Sequence, residues 1–163
     1  MDILDFALGI EEEGMALYAG LAEKAAPREI AGIFRFFETE EKRHYEIFEA
    51  WKKNSAAPPV EDTGLPDKVA EAFKNLSQQF DAAGVPALDH EDAYKKALGV
   101  EEKSIKFYGA MQDDMDDEEQ KLVLGLIIQQ EHAHVTLIHQ LMEFQRHPNE
   151  WLENAEWNHY EDY

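Results

Sequence analysis

Phe34-Arg35-Phe36-Phe37-Glu38-Thr39-Glu40-Glu41-Lys42-Arg43-His44-Tyr45-Glu46-Ile47-Phe48-Glu49-Ala50-Trp51 decides the fold. From Phe34, the positions Phe37, Glu41, His44, Phe48 and Trp51 follow in steps of three, four, three, four and three, and Ile30 extends the series upstream. Residues so spaced share one face of a continuous α-helix. Apart from Glu41 and His44 they are all large and apolar, so this face points into a core. A carboxylate and an imidazole therefore enter that core too. Three residues apart, they lie about 60° around the helix and one turn along it, so both can reach one point.

The pattern occurs twice. Leu124, Ile127, Glu131, His134, Ile138 and Leu141 follow the same steps, with Glu131 and His134 standing 90 residues beyond Glu41 and His44. Ala7-Leu8-Gly9-Ile10-Glu11-Glu12 recurs as Ala97-Leu98-Gly99-Val100-Glu101-Glu102, and Tyr18 as Tyr108, at the same offset. One half of the chain reads as a diverged copy of the other. Each half holds two helices. The first helix carries Leu4, Leu8, Met15, Leu21 and Ala25 at helical spacing, and Pro27 can open the second. The third carries Tyr94, Ala97, Leu98, Ile105, Tyr108 and Met111; Asp116-Asp117 break the chain before the fourth, which Arg146-His147-Pro148 closes.

Between the halves, about residues 53–89, lies a long connection with breakers at Asn54-Ser55-Ala56-Ala57-Pro58-Pro59 and Gly64–Pro66. Within it, Asp67 to Ala83 reads as an extra helix ending before Gly84 and Pro86. The expected fold is all-α: a ferritin-like four-helix bundle of two helical hairpins joined by a long crossover containing a short helix. Residues 1–146 form that bundle, and residues 147–163 an aromatic, acidic tail with Trp151, Trp157, Tyr160 and Tyr163.

Composition narrows the function. The 163 residues include no cysteine, which excludes disulfides, thiolate chemistry and Cys-ligated zinc or iron–sulfur centres. With 35 acidic against 15 basic residues the net charge is −20, which repels phosphate backbones and argues against nucleic acid as a partner. No apolar run approaches the roughly 18 residues that span a bilayer, so no membrane partner is expected. No basic, apolar leader follows Met1, and a reducing cytoplasm is the expected setting.

The six residues Glu11, Glu41, His44, Glu101, Glu131 and His134 are the candidate site. Glu11 and Glu101 each lie 30 residues before a Glu-x-x-His, on the apolar face of their own helix. A lone Glu-x-x-His arises by chance in a chain this rich in glutamate: Glu156 and His159 form one, without an apolar stripe, and with Leu126 at the partner position. Four ionised carboxylates in an apolar core cost several kcal/mol each unless neutralised. Two divalent cations neutralise them with both histidines uncharged. Carboxylate and imidazole without thiolate suit iron or manganese, and zinc is admissible. A carboxylate-rich pair able to stay neutral through a two-electron change favours iron.

These segments, with Leu17-Tyr18, Phe37 to His44, Phe107-Tyr108 and Gln130-Glu131-His132-Ala133-His134, resemble the rubrerythrin-like branch of the ferritin-like di-iron carboxylate superfamily. The resemblance covers about residues 1–52 and 89–146. It implies a di-iron site, bridging roles for Glu41 and Glu131, and terminal roles for Glu11 and Glu101. There are two departures. Peroxide-reducing relatives carry a further glutamate one turn after the third-helix ligand, where this chain has Ser104. The Cys-ligated iron domain of full-length rubrerythrins has no counterpart, so turnover needs an external reductant.

Tyr18 and Tyr108 lie two turns beyond Glu11 and Glu101, either as donors to ligand carboxylates on the opposite helix pair or as ordinary core aromatics. His132 falls off the core stripe, and His90, His139, His147 and His159 are expected at the surface. Glu12, Glu13, Glu40 and Glu102 are expected in solvent; Asp113, Asp114, Asp116 and Asp117 serve turn and cap. The leading function is a di-iron oxidoreductase reacting with oxygen or hydrogen peroxide. The alternatives are a non-catalytic iron-binding or storage protein and, as a third reading, an acidic partner of a redox enzyme. Val69, Phe73, Leu76, Phe80, Trp151 and Trp157 exceed what a four-helix core needs, so a homodimer is expected.

Overall fold

The computed structural model describes residues 2–80 and 91–147. Five helices follow in order: α1 (Ile3–Lys24), α2 (Arg28–Asn54), α3 (Leu65–Phe80), α4 (Glu91–Asp113) and α5 (Glu118–Arg146). Among the described residues there is no strand. Caps set the helix starts. Asp2 accepts from Leu4 N, and Asp5 reciprocates by accepting from Asp2 N. Asp117 accepts from Glu119 N at 2.9 Å and Gln120 N at 3.0 Å. Pro27 caps α2 without a side-chain bond, and its carbonyl accepts from Ile30 N and Ala31 N.

The α1–α2 and α4–α5 hairpins pack together through α1 and α4. Glu13 pairs with Lys103 and Phe6 meets Phe107 at 6.3 Å, so these two helices run antiparallel. His44 meets Gln130 and Phe37 meets His134 across the other seam, so α2 and α5 are antiparallel too. This is the expected all-α bundle of two hairpins, related by an approximate two-fold that exchanges residue i with residue i + 90.

The core divides into two apolar clusters with a polar layer between them. At one end Tyr18, Phe34, Phe37, Tyr94 and Ile138 pack together; at the other, Ala7, Ile10, Phe48, Trp51, Tyr108 and Leu124 do. Every position of the α2 and α5 stripes is buried as their spacing predicts. In α1 the stripe is displaced. The buried residues are Ala7, Ile10, Glu11, Gly14, Tyr18 and Ala22, whereas Leu4, Leu8, Met15, Leu21 and Ala25 are only half-buried at its rim. Small residues line the centre of this face because α1 lies close against its neighbours, so large side chains mark the edges of the contact instead.

The crossover helix corrects two expectations. α3 starts at Leu65, behind Gly64 in a left-handed conformation (φ +64°), two residues before Asp67, while residues 81–83 lie outside the described residues. Val69, Phe73 and Leu76, assigned above to a second chain, are fully buried against this chain's own bundle, with Phe73 edge-on to Phe144 at 5.4 Å. Burying each releases roughly 1.5–3 kcal/mol of transfer free energy. The Phe80 side chain, Trp151 and Trp157 lie outside the described residues.

Candidate metal centre

The polar layer holds all six predicted residues. Glu11, Glu41, Glu101, Glu131 and His134 are fully buried, and His44 is 1% exposed. They come from four helices: Glu11 from α1, Glu41 and His44 from α2, Glu101 from α4, Glu131 and His134 from α5. Their donor atoms form two sets, each within 4.8 Å: Glu11, Glu41, His44 and Glu131, and Glu41, Glu101, Glu131 and His134. Glu41 and Glu131 belong to both.

Distances repeat across the two-fold. His44 Nδ1 lies 3.2 Å from Glu131 Oε1 and 3.6 Å from Glu11 Oε2. His134 Nδ1 lies 3.2 Å from Glu41 Oε1, 3.3 Å from Glu101 Oε2 and 3.0 Å from Glu131 Oε2. The rings stack at 5.9 Å. Tyr18 donates to Glu101 Oε1 and Tyr108 to Glu11 Oε1, so each tyrosine bonds the single glutamate of the opposite hairpin. Each hydroxyl thus meets a buried carboxylate of the opposite helix pair and not a backbone carbonyl.

A cluster of this kind is badly solvated on its own. Among the described residues, Glu11 Oε2, both oxygens of Glu41 and both of Glu131 are buried without a well-aligned hydrogen-bond donor, although His44 and His134 lie beside them. Buried acceptors normally have partners, and leaving one unmet costs about 1–3 kcal/mol or more when charged. The donor set could hold two cations, which would complement these acceptors. A rubrerythrin family model matches residues 2–142, most of the chain. The chain belongs to the rubrerythrin family. No match was found to a curated protein or to a solved structure.

In this member of the family, burial and the neighbouring charges set how the metal-free cluster balances itself. Burial raises the Glu41 carboxyl well above its ordinary range, and the neighbouring Glu131, Glu101 and Glu11 raise it further. Burial raises Glu11 too, opposed by His44. Glu101 is pushed up to about 7, by burial against the pull of His134. Burial acts to lower both histidines, but the carboxylates around them prevail and hold them well above their usual value. Glu131 goes the other way: burial acts to raise it, and His44 and His134 together lower it. Without metal, protons supply the neutralising charge.

Two neighbouring positions were misread or missed. Glu40, expected in solvent, is 3% exposed and accepts from Thr63 Oγ1 of the crossover at 2.6 Å. Helical periodicity put it on the outer face, and the crossover covers that face. Gly14 was missed because it has no side chain to signal burial. A Cβ there would sit 2.5 Å from Glu41 Oε2, so this glycine makes the room Glu41 occupies. The repeat offset could have found it, since Gly14 pairs with Ser104. Ser104 is buried, donates to Val100 O at 3.0 Å, and offers no carboxylate. Glu12, Glu13, Glu102, His132, His139 and His147 are exposed as expected, while His90 and His159 lie outside the described residues.

Proposed function

We propose that the chain binds two iron ions and acts as a di-iron carboxylate oxidoreductase toward oxygen or hydrogen peroxide, with electrons from an external donor. One observation carries this reading: two buried four-residue donor sets share Glu41 and Glu131, and the oxygens facing each other there lack well-aligned donors among the described residues. Bound iron supplies reversible electron transfer within a fixed carboxylate–imidazole shell. The rest is the chain's work. Glu41 and Glu131, common to both donor sets, would be shared by the two ions, Glu11 with His44 would hold one, and Glu101 with His134 would hold the other. Tyr108 and Tyr18 orient the terminal carboxylates, as outer-shell donors do. The apolar clusters above and below the layer keep bulk water out. Ser104, bonded to its own helix, favours ferroxidase-like oxidation by oxygen over a peroxidase cycle that uses a fifth carboxylate.

Metal-free protein loaded with Fe(II) in the absence of oxygen, then mixed with oxygen or peroxide, tests this directly. Oxidation within seconds, with the near-ultraviolet absorption of a coupled ferric pair, is expected. No reaction over minutes would favour a protein that holds iron without turning it over. A homodimer in a cytoplasmic setting is proposed with it, resting on the tail residues Trp151 and Trp157 now that α3 is accounted for within the chain. Sedimentation showing only monomer at micromolar concentration would contradict the dimer.

A further inference from the structure

The two-fold that relates the ligands fails one position before each Glu-x-x-His. Gln130 precedes Glu131 on α5, and at the offset of 90 Glu40 precedes Glu41 on α2. Their side chains do different things. Gln130 Oε1 lies 2.8 Å from His44 Nε2, and Gln130 Nε2 donates to the backbone carbonyl of Glu61 at 3.0 Å. Glu40 is turned to Thr63 instead, and His134 Nε2 is buried with no hydrogen-bond partner among the described residues.

The Gln130 contacts form a chain of forced assignments. A carbonyl oxygen only accepts, so the Glu61 carbonyl must face the amide nitrogen of Gln130. The amide oxygen then faces His44, and as it too only accepts, His44 Nε2 must carry the hydrogen. In the neutral imidazole the lone pair is thereby left on Nδ1, the atom that faces Glu11 and Glu131. The crossover backbone, through one side chain, selects the tautomer able to bind a cation. Among the described residues His134 has no such support. His134 is among the residues lining a cavity of about 370 Å³ beneath the crossover, with Glu40, Asp62, Gln129 and Gln130.

We propose that Gln130 is a positioning residue that fixes His44 for metal binding through the Glu61 carbonyl of the crossover, and that the absence of an equivalent at His134 makes the two metal positions unequal, with the His44 position the tighter. This rests on the two-metal reading above. An outer-shell partner of a metal-bound histidine typically changes affinity by 10–100-fold. The inequality is built into one chain, independent of any difference between the primary ligands, which match across the repeat.

The test uses cobalt(II) alone as probe, titrated into metal-free full-length protein and followed by its visible absorption. Wild-type protein is expected to fill in two steps. Gln130→Ala should weaken the tighter step about 10–100-fold and leave the weaker within about twofold. Gln130→Glu, which still accepts from His44 Nε2 but cannot donate to Glu61, should recover most of the tighter step. The same variant should speed amide exchange over residues 60–63. In a His44→Ala background Gln130→Ala should have no further effect, as a double-mutant cycle requires of residues acting through one another. Unchanged affinities in Gln130→Ala, or equal weakening of both steps, would overturn the proposal. If Gln130→Ala does not fold, nitrogen-15 spectra of wild-type protein loaded with zinc(II) decide: Nε2–H with metal at Nδ1 of His44 supports it, and metal at Nε2 overturns it. Two bound cobalt ions in wild type with no effect of Gln130 would refute only this inference; no binding in wild type would refute the metal centre as well.

Discussion

Gly14 and Glu41 show how a residue's role can oppose its propensity. Glycine inside a helix costs roughly 1 kcal/mol relative to alanine, and in Gly14→Ala the contact forced on buried Glu41 offsets that gain, so the metal-free protein should keep its helical content. The new methyl would displace the carboxylate shared by both donor sets. Both metal affinities should therefore fall by about tenfold or more while helical content stays constant, as titration and circular dichroism would show. Glu101 gives a prediction in pH. Its pKa in the folded chain, about 7, lies above its ordinary 4.5 because burial outweighs the pull of His134. The folded state thus holds a proton that the unfolded state gives up between these values. The stability Glu101 contributes is complete below about pH 4.5 and is lost as pH rises through 7. Metal-free protein should lose on the order of 3 kcal/mol from this group between pH 4 and 8, and Glu101→Gln should remove that part of the slope in urea titrations. Loading reverses the sign: metal displaces the protons, so its affinity should rise with pH and binding should release acid. The six residues of the buried cluster were legible because charge on an apolar stripe, repeated at one offset, has few physical explanations. Glu40 and Gln130 were not, because which outer face the crossover would cover is set by the fold and leaves no trace in helical periodicity.

The helices were legible to different degrees for the same kind of reason. α2 and α5 bury one broad face lined with large residues, and the three-four spacing of those residues reproduces that face in full. α1 buries alanine and glycine at its centre, so its large apolar residues trace the rim of the contact and not its middle. α3 was found, yet its partner was misjudged: an amphipathic stripe says that a face is buried and nothing about which chain covers it. Phe73→Ala tests the corrected placement. With Phe73 fully buried against Phe144, the substitution should cost about 3–5 kcal/mol, measured by chemical unfolding at concentrations where the protein is monomeric. A loss that appeared only where dimers form would return the α3 face to a second chain.

At the scale of the whole molecule, an acidic chain of net charge −20 places four of its carboxylates in the middle of its core, between two apolar clusters. Its two halves supply matching glutamates and histidines to that layer, and the repeat visible in the sequence becomes the two-fold of the bundle. What the repeat could not carry is its own breakage, at Gln130 against Glu40 and at Ser104 against Gly14, since each pair acquires meaning only from what packs on it. On the two-metal proposal, metal-loaded protein should melt at higher temperature than metal-free protein, by an amount that grows with free metal concentration. The most direct measurement is calorimetric titration of metal-free wild type and Glu41→Ala with Fe(II) in the absence of oxygen. Wild type should take up two ions per chain, and loss of the shared carboxylate should weaken both together. Two tight sites of unchanged affinity in Glu41→Ala would contradict a centre bridged by that residue.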